Sequence, residues 1–143
     1  MAEWRKRQIY LNNFHEAILQ LIEKFPKNKY ENVYGLPRGG LIIATYISHH
    51  LNIPLLMEPP DINKEGLLKT LIVDDLTDTG DSLKCYEKAG FETAVIFYKP
   101  RSFVKPTYYI HETMDWVVFP YELWDEKENR NPPTEEELKF HKS

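Results

Sequence analysis

The chain has 143 residues, 42% of them hydrophobic, a formal net charge of −4 and one cysteine, Cys85. This is enough apolar chain for one domain with one core, needing neither disulfide nor structural metal, and a lone thiol suits a reducing compartment. The acidic balance argues against a protein living on nucleic-acid phosphates, no Cys/His spacing suggests zinc, and no apolar run reaches the ~20 residues of a membrane span.

The opening segment, Met1-Ala2-Glu3-Trp4-Arg5-Lys6-Arg7, lacks the apolar stretch of a signal peptide, so a cytoplasmic location is expected. Asn12 is placed to cap a helix in which Phe14, Ile18, Leu19, Leu21, Ile22 and Phe25 recur at helical spacing, with Pro26 ending it. Val33 to Leu36 reads as a short strand, Pro37-Arg38-Gly39-Gly40 as a turn, and Leu41 to Leu51 as a helix with Asn52 past its end. Ile53 to Met57 is a second strand. A polar connection follows from Glu58 to Gly66, containing Pro59-Pro60. Lys69 to Val73 is a buried strand, Ser82 to Ala89 a helix ended by Gly90, and Thr93 to Tyr98 another strand. Tyr108 to Ile110 and Trp116 to Phe119 are candidate short strands. After Asn131-Pro132-Pro133, Thr134 and Glu137 form a capping box for a last short helix. Strand and helix alternate through the middle, which predicts an α/β fold: a mainly parallel twisted sheet with helices on both faces. Ligands in such sheets bind beyond the carboxyl ends of the strands, where Pro37 to Gly40 and Asp74 to Ser82 both fall.

The second of these segments carries the chemistry. Leu71-Ile72-Val73 breaks into Asp74-Asp75, and two residues later comes Asp78-Thr79-Gly80-Asp81-Ser82. A turn leading into a helix offers free backbone N–H groups to an anion, ideally phosphate. Thr79 and Ser82 add hydroxyls, and Gly80 permits close approach of the backbone. Two adjacent carboxylates at a strand end are costly unless a sugar diol or Mg²⁺ meets them. A haloacid-dehalogenase phosphatase needs two aspartates one residue apart, whereas Asp75 and Asp78 are two apart; the Gly-Lys-Ser/Thr of a Walker A loop is absent.

Taken whole, Leu71 to Leu83 resembles the phosphoribosyl-pyrophosphate (PRPP) motif of type I phosphoribosyltransferases: apolar residues, two acids, two variable residues, Asp-Thr-Gly, a variable residue, then Ser. Tyr34 to Gly40, "YGLPRGG", resembles the pyrophosphate loop of that family. Tyr98 to Glu122 resembles the base-binding part of its short microbial xanthine, guanine and hypoxanthine enzymes. The match spans residues 9–122 of what reads as a single domain, 1–143, with 123–143 as a C-terminal extension. The resemblance implies Mg²⁺-dependent transfer of a phosphoribosyl group to a 6-oxopurine. Asp74 and Asp75 would hold the ribose hydroxyls and metal. Asp78 would be the catalytic acid/base near N7, and Asp78, Thr79, Gly80, Asp81 and Ser82 would wrap the 5′-phosphate. Arg38 and Gly39 would contact pyrophosphate, with a cis peptide between Pro37 and Arg38. Lys99, Trp116 and Val117 would bind the base, and Glu122 would help hold metal. A homodimer is expected, with no membrane and no nucleic-acid partner.

The chain departs from the family between its second and third strands, where relatives carry a long hood that closes over the site. Glu58 to Leu68 is only about ten residues. This keeps open an alternative: a regulatory protein of the same fold that senses PRPP or nucleotides with weak or no turnover. Of the remaining residues, Tyr108 and Tyr109 are expected to pack, His49-His50 to lie on the surface, and Cys85 to be buried.

Overall fold

The computed structural model describes residues 8–10, 13–63 and 69–125. The expected cap at Asn12 and the helix after Thr134 lie outside them. In chain order the elements are β1 (Gln8–Tyr10), α1 (Phe14–Glu23), β2 (Asn32–Gly35), α2 (Gly39–Leu51), β3 (Leu55–Leu56), β4 (Thr70–Val73), β5 (Leu76–Thr77), α3 (Lys84–Lys88), β6 (Thr93–Ala94), β7 (Phe97–Tyr98), β8 (His111–Glu112) and β9 (Trp116–Val118), followed by a 3-10 helix, Pro120–Asp125. They fall into two compact units, Glu16–Thr113 and a terminal unit drawn from Met1–His15 and Met114–Ser143.

In the larger unit every strand pairing is parallel, in the orders β3-β2-β4-β6 and β5-β7-β8. Thr70 to Val73 are all buried, as expected of a strand covered on both faces. Pleat alternation shows which helix covers which face. A Cβ on Gly35 would lie 2.7 Å from Ala44 Cβ of α2. The next residue back, Tyr34, faces the other way, 6.3 Å from the Tyr86 ring of α3. Tyr34 and Ile72 join Leu83, Tyr86, Phe91, Val95 and Val104 in one apolar core on that side. Ile43, Ala44 and Ile47 of α2 are buried on the first. Helices thus flank both faces.

α2 begins at Gly39, two residues earlier than its periodicity predicts, because two glycines let it dock end-on. A Cβ on Gly35 would sit 2.2 Å from the Gly40 carbonyl oxygen, and one on Gly40 would sit 2.5 Å from that of Val73. The helix ends as expected, on Asn52 in the left-handed conformation (φ 54°), whose N–H donates to the Ser48 carbonyl. α3 is shorter than expected: residues 81–83 form a turn and only Lys84–Lys88 are helical. Of the five, only Tyr86 is buried, so Cys85 is exposed rather than in the core.

The expected strand Thr93 to Tyr98 is broken. The Asp75 carbonyl accepts both the Ile96 and Phe97 N–H groups, at 3.1 and 3.2 Å. One strand over, the Ile96 carbonyl accepts both Ile110 and His111, at 3.2 and 2.9 Å. Register is nevertheless unchanged across the break: Val73 pairs with Ala94 before it, and Leu76 pairs with Phe97 after it. Neighbouring strands therefore step out of phase together along a seam. The same seam splits the expected strand at Tyr108 into a single bridge to Ala94 and then β8.

In the terminal unit β1 and β9 pair in parallel, Gln8 opposite Trp116 and Ile9 opposite Val117. The rings of Phe14, Phe119 and Tyr121 cluster there with centroids 5.5–6.0 Å apart. Among the described residues no helix is long and apolar enough to cross a membrane.

Candidate functional site

The carboxyl ends of β2 and β4 converge. The Leu36 N–H donates to the Val73 carbonyl at 2.9 Å, and a Cβ on Gly40 would lie 2.9 Å from Asp74 Cα. The segment Pro37 to Gly40 is therefore held against the acidic end of β4. The Pro37–Arg38 peptide is cis, Arg38 is exposed, and Gly39 is buried at the start of α2.

Asp74 and Asp75 are half-buried at the strand end. The Asp74 N–H continues the ladder to the Ala94 carbonyl at 3.0 Å, and the Asp75 N–H donates to Asp74 Oδ1 at 2.9 Å. Burial, and then the neighbouring Asp75 carboxylate, push the Asp74 carboxyl up to about 9. An acid held that high lacks a countercharge. Two hard carboxylates fit Mg²⁺, which binds through one or two carboxylates and completes its octahedron with water and phosphate oxygens. Among the described residues no three metal-binding side chains gather in one place.

Past β5 the chain turns sharply at Gly80, φ 95°. The Thr79 hydroxyl accepts the Asp81 N–H at 3.3 Å, and the Gly80 carbonyl accepts that of Leu83 at 3.2 Å. Among the described residues the N–H groups of Thr79, Gly80 and Ser82 donate to nothing. A short turn presenting several open amides, with Thr79, Asp81 and Ser82 exposed, is an anion-binding arrangement. With α3 only five residues long, these amides rather than a helix dipole would provide the attraction.

Beside this turn lies Lys99, 1% exposed, its Nζ 3.7 Å from Asp78 Oδ1. The same oxygen accepts a 2.6 Å hydrogen bond from Arg101 Nε and pairs with Arg101 Nη2. Sequence reasoning passed over Arg101; the available signal was a second cation two residues beyond Lys99, across Pro100. It also passed over Ser102, whose Oγ lies 2.8 Å from Thr77 Oγ1.

The structure thus gathers Arg38 and Gly39 at one strand end with Asp74 and Asp75, and Asp78 with Lys99. The other expected residues belong to the terminal unit. Trp116 is half-buried in β9 and Val117 buried beside it. Glu122 Oε1 accepts the Phe119 N–H at 3.1 Å, capping its own 3-10 helix.

No protein-family profile matches the chain. It is similar to the solved structure of a purine phosphoribosyltransferase from Pyrococcus horikoshii Ot3, at 31% identity and a TM-score of 0.69, over 81% of this chain and 94% of that one. The xanthine-guanine-hypoxanthine phosphoribosyltransferase of Helicobacter pylori superposes with a TM-score of 0.68 at 20% identity, over 82% of this chain and 92% of its own, a likeness of fold. A xanthine-guanine phosphoribosyltransferase from Chromohalobacter salexigens is 24% identical over 133 residues, 78% of this chain and 81% of its own.

Proposed function

The chain belongs to the phosphoribosyltransferase family, with its type I fold, and from that premise we propose that it joins a 6-oxopurine to PRPP, giving a nucleoside 5′-monophosphate and pyrophosphate. The observation that carries the choice of base is the pair of Lys99 Nζ and Asp78 Oδ1, 3.7 Å apart. A 6-oxopurine presents O6 and N7 side by side on one edge. Lys99 donates to O6 while Asp78 takes the proton that leaves N7. N9 forms the bond to C1′ as the bond from C1′ to the pyrophosphate oxygen breaks. Arg38, Gly39 and the adjoining amides hold the pyrophosphate that departs with the electron pair. The open amides of Thr79, Gly80 and Ser82 hold the 5′-phosphate. Asp74 and Asp75 are the residues to hold Mg²⁺, which when bound supplies charge stabilisation to the diphosphate. Positioning and electrostatics provide the rate.

Adenine carries an amino donor where O6 would be, so it offers Lys99 nothing to receive a hydrogen bond. The test is pyrophosphate release from PRPP and Mg²⁺ with each of xanthine, guanine, hypoxanthine and adenine in turn. A 6-oxopurine should turn over fastest, and a preference for adenine would sink the assignment. One feature favours a second reading. Residues 57–69 alone join β3 to β4, in place of a long closing hood. A site that binds PRPP yet turns over no base would be a sensor of PRPP or nucleotides on the same fold.

A further inference from the structure

The Asp78 carboxylate is gripped from a different loop. Arg101 Nε donates to Oδ1 at 2.6 Å, Arg101 Nη2 pairs with the same oxygen, and Lys99 Nζ lies 3.7 Å from it. All three contacts fall on Oδ1. The Arg101 side chain is 8% exposed and that of Asp78 26%, so packing fixes the guanidinium plane, and the carboxylate cannot rotate without losing a charge-assisted bond.

The loop carrying Arg101 is itself tied to the anion-binding turn. The Lys99 N–H donates to the Thr77 carbonyl at 3.0 Å and the Phe103 N–H to the Thr79 carbonyl at 2.8 Å. The hydroxyls of Thr77 and Ser102 are 2.8 Å apart, and Ser102 Oγ also donates to the Val104 carbonyl at 2.7 Å. The fit leaves no slack: a Cβ on Gly80 would stand 2.8 Å from Ser102 Oγ and 2.9 Å from the Val104 nitrogen.

The geometry points to Arg101 as a positioning residue for proton transfer. By saturating Oδ1 it leaves Oδ2 as the oxygen that receives the purine proton. Through the Ser102 and Phe103 bonds it keeps that oxygen in fixed relation to the phosphate-binding turn. This role rests on the transferase reading, in which Asp78 is the base.

A double-mutant cycle tests it, with kcat and the KM for PRPP measured for R101M, R101K, D78N and the two doubles. Loss of a charge-assisted bond to a catalytic group should lower kcat roughly 10- to 100-fold in R101M, with the KM for PRPP held within about threefold. R101K keeps the charge without the planar fork and should recover only part of the loss. Adding either change to D78N should slow it less than about twofold further, because Arg101 acts through Asp78. Additive effects, or wild-type kcat in R101K or R101M, would overturn the role. Should R101M fail to fold, the R101K cycle decides alone. Wild-type protein inert with every base would overturn the transferase reading and the role of Arg101 with it, whereas an active wild type with additive variants overturns the role of Arg101 alone.

Discussion

The two ends of the parallel sheet treat charge in opposite ways. At the amino end, just ahead of β2 and β6, Lys29 meets Glu92 at 2.8 Å and the Tyr30 hydroxyl donates to Glu92 Oε1 at 2.8 Å. The Tyr30 and Tyr108 hydroxyls lie 2.7 Å apart, and Phe25 packs edge-on to Tyr108 at 4.9 Å. Burial alone would raise the Glu92 carboxyl, yet hydrogen bonds from Lys29 and Tyr30 hold it below its ordinary value. At the carboxyl end burial and a like charge push Asp74 up, and buried Gly80 leaves its amide unmet among the described residues. One end is satisfied by its own chain. The other is complete only with a ligand, the conflict between local rules and stability that marks a functional site.

Three substitutions sharpen this contrast. The largest effect belongs to Asp78→Asn, which keeps the shape and removes the base. Its kcat should fall roughly 100-fold or more, while PRPP affinity by calorimetry should change less than in a variant with Asp74 and Asp75 both changed to Asn. Full activity in D78N would end the proton-transfer role.

Next is Asp74→Asn. The ordinary carboxyl value is 3.8 and the folded one about 9, so folding without ligand takes up a proton between those limits. The contribution of Asp74 to stability is therefore fully present below about pH 4 and is lost as pH rises towards 9. Urea unfolding should show wild type losing stability relative to D74N between pH 5 and pH 8, by at most about 1.4 kcal/mol per pH unit. The variant should nonetheless bind Mg²⁺ and PRPP more weakly. A wild type that gains on D74N as pH rises would contradict the charge conflict described here.

The smallest effect is Glu92→Gln at the satisfied end. It should lower stability by about 1 kcal/mol or less and leave kcat unchanged. Because the folded carboxyl lies below its ordinary value of 4.5, the advantage of Glu92 is present above pH 4.5 and disappears as acid protonates it. Altered turnover in E92Q would show that the two ends are not separable.

Much of the fold was legible because its signals are local. Apolar runs bounded by Gly and Pro gave β2, β4 and α2, and their alternation gave the parallel sheet. β1 escaped notice, since three residues paired with a strand at the far end of the chain leave no periodic trace. The division of Thr93 to Tyr98 escaped as well, because it is imposed by the Asp75 carbonyl on a neighbouring strand. Within the site, Asp74, Asp75 and Asp78 to Ser82 were readable as one contiguous motif. Arg101 was not. A charged residue after Lys99-Pro100 reads as solvated until the Phe103 bond to Thr79 folds its loop inward.

The seam through Asp75 and Ile96 constrains how this chain can change. The doubled acceptors are backbone carbonyls, and their side chains, an acid and an aliphatic, have nothing in common. Substitutions there leave the fault in the sheet intact. Insertions and deletions do not, because Val73 to Leu76 must keep the same length as Ala94 to Phe97 for both ladders to stay aligned. Removing one residue from either strand would reverse the side-chain parity of everything beyond it, exchanging Lys99 with a neighbour and carrying its ammonium to the opposite face. The chemistry of this end of the protein is thus written in the counting of residues as firmly as in their identity.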